Sequence, residues 1–90
     1  MANSKQAEKR HRQNLRSRAR NRSHRSRMRS AIKTLRAAVA EGNLEQAQAL
    51  LPETLKVIDS TASSQVIHRN AAARHKSRLT RAVNQLAAAS

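Results

Sequence analysis

Ninety residues with one Gly, one Pro, no Cys and no Phe, Trp or Tyr leave room for one small domain. They exclude a disulfide framework, a thiolate nucleophile and a cysteine zinc site. Nineteen Lys and Arg against five Asp and Glu give a formal charge of +14, and the partner such a balance demands is a polyanion.

The composition is rich in Ala, Leu, Arg, Gln and Glu, all compatible with helix, while strand-favouring aromatics are absent. The expected fold is therefore all-α. It is a three-helix bundle with a long, projecting, basic N-terminal helix, forming one domain over residues 1–90: a basic extension at 1–27 and a bundle core at 28–88. Charge follows the same division. Residues 1–36 carry +12, residues 37–68 carry −3, and residues 69–90 carry +5. The two ends are expected to touch the anion and the centre to face away from it.

The first helix opens with Lys5, Lys9, Arg10 and Arg12, then packs seven arginines into fourteen residues: Arg16, Arg18, Arg20, Arg22, Arg25, Arg27 and Arg29. Like charge at that density repels itself and becomes favourable against phosphates. An Arg- and Ser-rich, acid-poor start is also the composition of an organelle transit peptide, but here the pattern runs unbroken into core residues. Those are Met28, Ile32, Leu35 and Val39, on one face of a 3.6-residue period, with Ala31 and Ala38 beside them. Extended backwards, that face meets His24, Asn21, Ser17 and Asn14, all polar, so the helix is expected to project beyond its bundle. Arg18, Arg22, Arg25, Arg29 and Arg36 form a stripe beside the apolar face, with Arg16, Arg20 and Arg27 nearly opposite it. A membrane-lying helix would keep an apolar face along this stretch, and residues 14–24 offer only Leu15 and Ala19. As one helix, residues 5–40 would span about 54 Å.

Gly42 is expected to stop this helix, and Asn43 with Gln46 to start the next through a capping box. The second helix shows Leu44, Ala47, Leu51, Leu55, Ile58 and Ala62 at spacings of three and four, with a kink or break expected at Pro52. The polar stretch Ser60 to Gln65 reads as the next connection. Ala72, Leu79, Ala82, Val83 and Leu86 mark a third helix, with Ser64 and Asn70 as rival caps. Arg74, Arg78 and Arg81 fall at i, i+4, i+7 and are expected to join the arginine surface of the first helix.

Without an aromatic platform for splayed bases, recognition has to rest on phosphates, shape and hydroxyls. Fourteen arginines against five lysines favour folded RNA, because the guanidinium fork grips phosphate twice or stacks in irregular junctions. A DNA-compacting, nucleoid-type protein is the alternative. Catalytic readings are poor: His11, His24, His68 and His75 have no Cys partners or HExxH spacing, no GxSxG or SxxK surrounds a serine, and one Gly cannot form a phosphate loop. No enzyme activity, metal, cofactor, small-molecule substrate or membrane partner is expected.

The run Ile67-His68-Arg69-Asn70-Ala71-Ala72-Ala73-Arg74-His75-Lys76-Ser77-Arg78-Leu79 closely resembles the signature of the bacterial small-subunit ribosomal protein S20 family. Met1-Ala2-Asn3 with Lys5 and Lys9-Arg10, Arg20-Asn21, Arg25 to Arg29, Ile32-Lys33 and the Gly42 turn agree with it, while residues 44–65 match loosely. The resemblance implies a structural protein bound directly to small-subunit ribosomal RNA, with other small-subunit proteins as possible neighbours, in a bacterial cytoplasm or a plastid stroma. Carried over by position, the RNA-contacting residues are the basic N-terminal ones with Asn21, and His68, Arg69, Asn70, Arg74, His75, Lys76 and Arg78.

Overall fold

A stretch of 41 residues without Gly or Pro, in which Arg, Ala and Ser are the commonest, offers the backbone little reason to leave the α region. The computed structural model describes residues 2–89, with side-chain surroundings from Lys5 onward. Met1 and Ser90, the ends of the expected domain, lie outside the described residues. Helix α1 spans Ala2–Ala40, α2 Leu44–Ser63 and α3 Arg69–Ala89, with no strand among the described residues. The expected all-helical, three-helix architecture is what the chain adopts.

The α1–α2 turn is built from two backbone bonds. The Asn43 N–H donates to the Ala38 carbonyl at 3.0 Å and the Gly42 N–H to the Val39 carbonyl at 3.0 Å, with Gly42 at φ +73°. This is a Schellman closure, and the left-handed position falls on the one residue without a Cβ. Asn43 then caps α2, its Oδ1 accepting from the Gln46 N–H at 3.1 Å. The reciprocal half of a capping box is missing, because the Asn43 N–H is already bonded to Ala38. Gln46 Oε1 instead accepts from the Asn43 side-chain Nδ2 at 3.1 Å.

Helix α2 runs through Pro52 without a break. Pro52 is exposed, so the carbonyl left without its N–H partner can be met by water. The helix also continues past Ser60, correcting the expected connection: it ends at Ser63, and the link to α3 is residues 64–68. Thr61 explains the extra turn. It is 1% exposed, and its hydroxyl donates to the Val57 carbonyl at 2.8 Å, turning the methyl group to the core. Thr54 does the same with the Leu50 carbonyl at 2.9 Å.

A second Schellman closure ends α2, with Val66 N–H on the Thr61 carbonyl at 3.2 Å and Gln65 N–H on the Ala62 carbonyl at 2.9 Å. Here the left-handed residue is Gln65, at φ 62°. A side chain there costs about 1 kcal/mol relative to glycine, offset in part by glycine's freer unfolded chain. Gln65→Gly should therefore raise stability by about 0.5 kcal/mol, read as a higher urea midpoint by circular dichroism. A lowered midpoint would contradict this account of the turn.

Neither expected cap starts α3. Ser64 closes α2, and Asn70 already lies within α3. His68 takes the role: its carbonyl accepts the first helical bond from Ala72 at 3.1 Å, and its Nδ1 accepts from the Asn70 N–H at 3.1 Å.

The three helices bury one large aliphatic each at the centre: Leu35, Ile58 and Leu79, all at 1% exposure or less. Met28, Ala38, Ala47, Ala72 and Val83 surround them, with Ile32, Val39, Leu50, Leu51 and Leu86 at the margin. Small alanines let the backbones approach closely, which is how a core without rings closes. Helix α1 packs most extensively on α2 and least on α3, so the α1–α3 seam is the most open of the three.

Candidate nucleic-acid interface

At 1.5 Å per residue the 20 residues of α2 return about 30 Å along α1, to the level of its residues 21–23. Burial agrees: residues 5–20 are all exposed, and Asn21 and His24 are the first in α1 to lose exposure. The preceding part of α1 therefore has no protein against it. Lys5, Lys9, Arg10, Arg12, Arg16, Arg18 and Arg20 stand on this arm with Glu8 as the sole acid, and Arg22, Arg25, Arg27 and Arg29 are exposed beside the bundle. The whole assembly is 68 × 21 × 15 Å, a rod with cations along its length.

Two stretches of α1 form shallow surfaces. Arg18, Asn21, Arg22, Arg25, Ser26 and Arg29 line one, which is the stripe read from the helical period. Gln6, Arg10, His11 and Asn14 line another nearer the N-terminus. No acidic side chain lines either surface, so no carboxylate would repel a phosphate there.

Helix α3 divides its cations between two sides. Arg74, Arg78 and Arg81 are exposed. By helical angle Arg78 lies about 60° from His75, which enters a groove with Met28, Arg29, Ile32, Lys33 and Arg36 of α1, whereas Arg74 points away from the buried face of α3. The expected joining of the whole third-helix stripe to the arginine surface of α1 is corrected here: His75 is what meets the α1 cations, while Arg81 lines a surface with Lys76 and with Leu55 of α2. Lys76 turns the other way, and its Nζ lies 2.8 Å from Asp59 Oδ1 on α2. Both groups of that pair are more than a third exposed, so it holds Lys76 only weakly against competition from phosphate. The residues 5–16 are not brought near α3; a rise of about 24 Å separates Lys5 from the bundle.

His68, Arg69 and Asn70 are exposed at the start of α3. Because His68 Nδ1 accepts a hydrogen bond, the neutral ring carries its proton on Nε2, a donor aimed outward. Lys33 and Arg36, not among the expected RNA contacts, join the surface on exposed positions of the groove rim. Arg36 carried a signal, since it falls on the Arg18 to Arg29 stripe; Lys33 is brought in by the neighbouring helix.

Among the described residues no group of three or more His, Cys, Asp or Glu could hold a metal ion, and no helix is long and apolar enough to cross a membrane. Residues 2–84 match the family model described as Ribosomal protein S20. The chain is 52% identical over 88 residues to a protein named small ribosomal subunit protein bS20 from an Azoarcus species, covering 98% of this chain and 100% of that one. Similarity is 52% over 87 residues to the protein of the same name from Thiobacillus denitrificans, covering 97% and 100%, and 49% over 85 residues to that of Solidesulfovibrio magneticus, covering 94% and 96%. With matches of this extent across an all-helical, cation-faced rod, the chain belongs to the ribosomal protein S20 family.

Proposed function

We propose that this chain is a structural, non-enzymatic component of the small ribosomal subunit, working in the cytoplasm or, in an organellar setting, the plastid stroma. It binds small-subunit ribosomal RNA directly and supports subunit assembly by clamping several RNA segments. The observation that carries this reading is the arm at residues 5–20, exposed throughout, cationic on several faces and without protein neighbours, in a chain of this family. Positive charge so arranged is unfavourable alone and is relieved when phosphate counterions are replaced.

The contacts proposed are Lys5, Lys9, Arg10, Arg12, Arg16, Arg18, Arg20, Asn21, Arg22, Arg25, Arg27 and Arg29 from α1, with His68, Arg69, Asn70, Arg74, His75, Lys76 and Arg78 from the start of α3. The arm reaches RNA beyond the bundle, while the α1–α3 seam grips RNA beside it. Other small-subunit proteins are neighbours rather than the main partner, because the charged surface leaves little apolar area to dock them. Exposed large hydrophobic side chains reduce to Leu15 among the described residues.

Binding of the full chain to a small-subunit ribosomal RNA transcript should weaken steeply with salt. With about eight phosphates engaged, log affinity against log salt should slope by about −6 to −7. A slope near zero would falsify direct phosphate recognition. Duplex DNA added as competitor separates this reading from nucleoid compaction: folded ribosomal RNA should win at equal phosphate concentration, and equal competition would favour the DNA reading.

A further inference from the structure

The groove on the α1–α3 seam sets an apolar floor and three cations of α1 against a histidine of α3. Met28 and Ile32 form that floor, Arg29, Lys33 and Arg36 stand on its α1 rim, and half-buried His75 faces them from α3. Its volume of about 510 Å³ falls within the range of clefts that accept small organic groups. A phosphate backbone alone has no use for an apolar floor, and an apolar peptide has no use for three cations around one. The chemistry that needs both is a nucleotide: a flat, weakly polar base flanked by phosphates.

Resting on the reading that this chain binds ribosomal RNA, we infer that the groove holds one unstacked nucleobase of the bound RNA, against His75, with the adjoining phosphates on Arg29, Lys33 and Arg36. In a chain without Phe, Trp or Tyr, imidazole rings and guanidinium planes are what remains to stack on a base. Of the four histidines, His75 is the one that borders an apolar floor and cations from a second helix. No protein hydrogen bond engages its ring, which is therefore free to meet a base. The groove thus supplies base recognition in a surface otherwise suited only to backbone charge.

The test is chemical probing of base edges in the small-subunit RNA transcript, free and bound to the full chain, with affinity measured alongside. One unpaired base, reactive in free RNA, should become protected on binding. His75→Ala should weaken affinity about 5- to 150-fold, the span that loss of one stacked base gives, and restore reactivity at that base while the rest of the footprint persists. His75→Tyr, which keeps a flat ring, should keep the protection. Lys33→Gln with Arg36→Gln, both at exposed positions that leave the core intact, should expose the same base and lower the salt slope by about 1.4 to 1.8. A normal footprint with no base that responds to His75→Ala overturns the groove assignment and leaves RNA binding standing. Protection that appears only after other ribosomal proteins are added assigns the groove to a protein and overturns it too. No binding to the transcript at all overturns both readings.

Discussion

Leu35→Asp should leave the free chain without a cooperative unfolding transition. Leu35 is 0% exposed and sits where all three helices meet, beside Ile58 and Leu79. Removing its side chain costs on the order of 2–5 kcal/mol through lost burial and the cavity that remains. Placing an unpaired carboxylate there adds several kcal/mol more, because no cation among the buried residues can pair with it. A bundle of about 65 residues with an alanine-rich core and no aromatic ring holds only a few kcal/mol in reserve. The sum exceeds the reserve, so helix content should collapse and the urea transition vanish. Leu15→Asp is the control: Leu15 is 50% exposed on the arm, and its replacement should move stability by less than about 0.5 kcal/mol. A sharp transition in Leu35→Asp near the parent midpoint would mean the core lies elsewhere.

Replacing Arg18, Arg22 and Arg25 together by Gln should do the reverse, leaving the bundle folded and weakening RNA binding. All three are exposed and none packs in the core. Glutamine keeps helix propensity and length but cannot neutralise phosphate. The salt slope should fall in magnitude by about 2 to 3 if each arginine meets one phosphate, and affinity near physiological salt by at least about tenfold. The urea midpoint should hold or rise, since three mutually repelling charges are removed. If this variant lost its fold as Leu35→Asp does, the separation of the binding arm from the folding core would be wrong. Unchanged affinity and slope would instead remove this stripe from the interface.

The first helix was legible because its signals are unopposed. Met28, Ile32, Leu35 and Val39 keep a strict helical period, and one glycine sits where a left-handed residue is needed. The polar continuation of that face, read as a helix leaving its bundle, matches the loss of packing before Asn21. What failed to show is what depends on side chains changing apparent character. Thr54 and Thr61 read as polar, yet each gives its hydroxyl to the carbonyl four residues back and enters the core as a methyl group. That concealed the last turn of α2. Gln65 in a left-handed turn and histidine as a cap both run against residue preference, and tertiary packing outweighed it.

For the interface, sequence alone supplied the residues and the stripes, because charge and helical angle are local properties. It could not supply the meeting of His75 with Arg29, Lys33 and Arg36, which depends on how α3 lies across α1. Nor could it show that Lys76 faces α2 and Asp59 while its neighbour His75 faces α1. His68 combines two duties that sequence keeps apart: the nitrogen that starts α3 fixes the tautomer of the nitrogen offered outward.

The unsupported N-terminal half of α1 also governs how the isolated molecule travels through solvent. Its radius of gyration is 17.9 Å, whereas a compact chain of 90 residues would have about 12 Å. A compact protein of that radius has about 250 residues. On a sizing column a lone copy therefore elutes ahead of compact proteins of its own mass, and an early peak by itself is no sign of self-association.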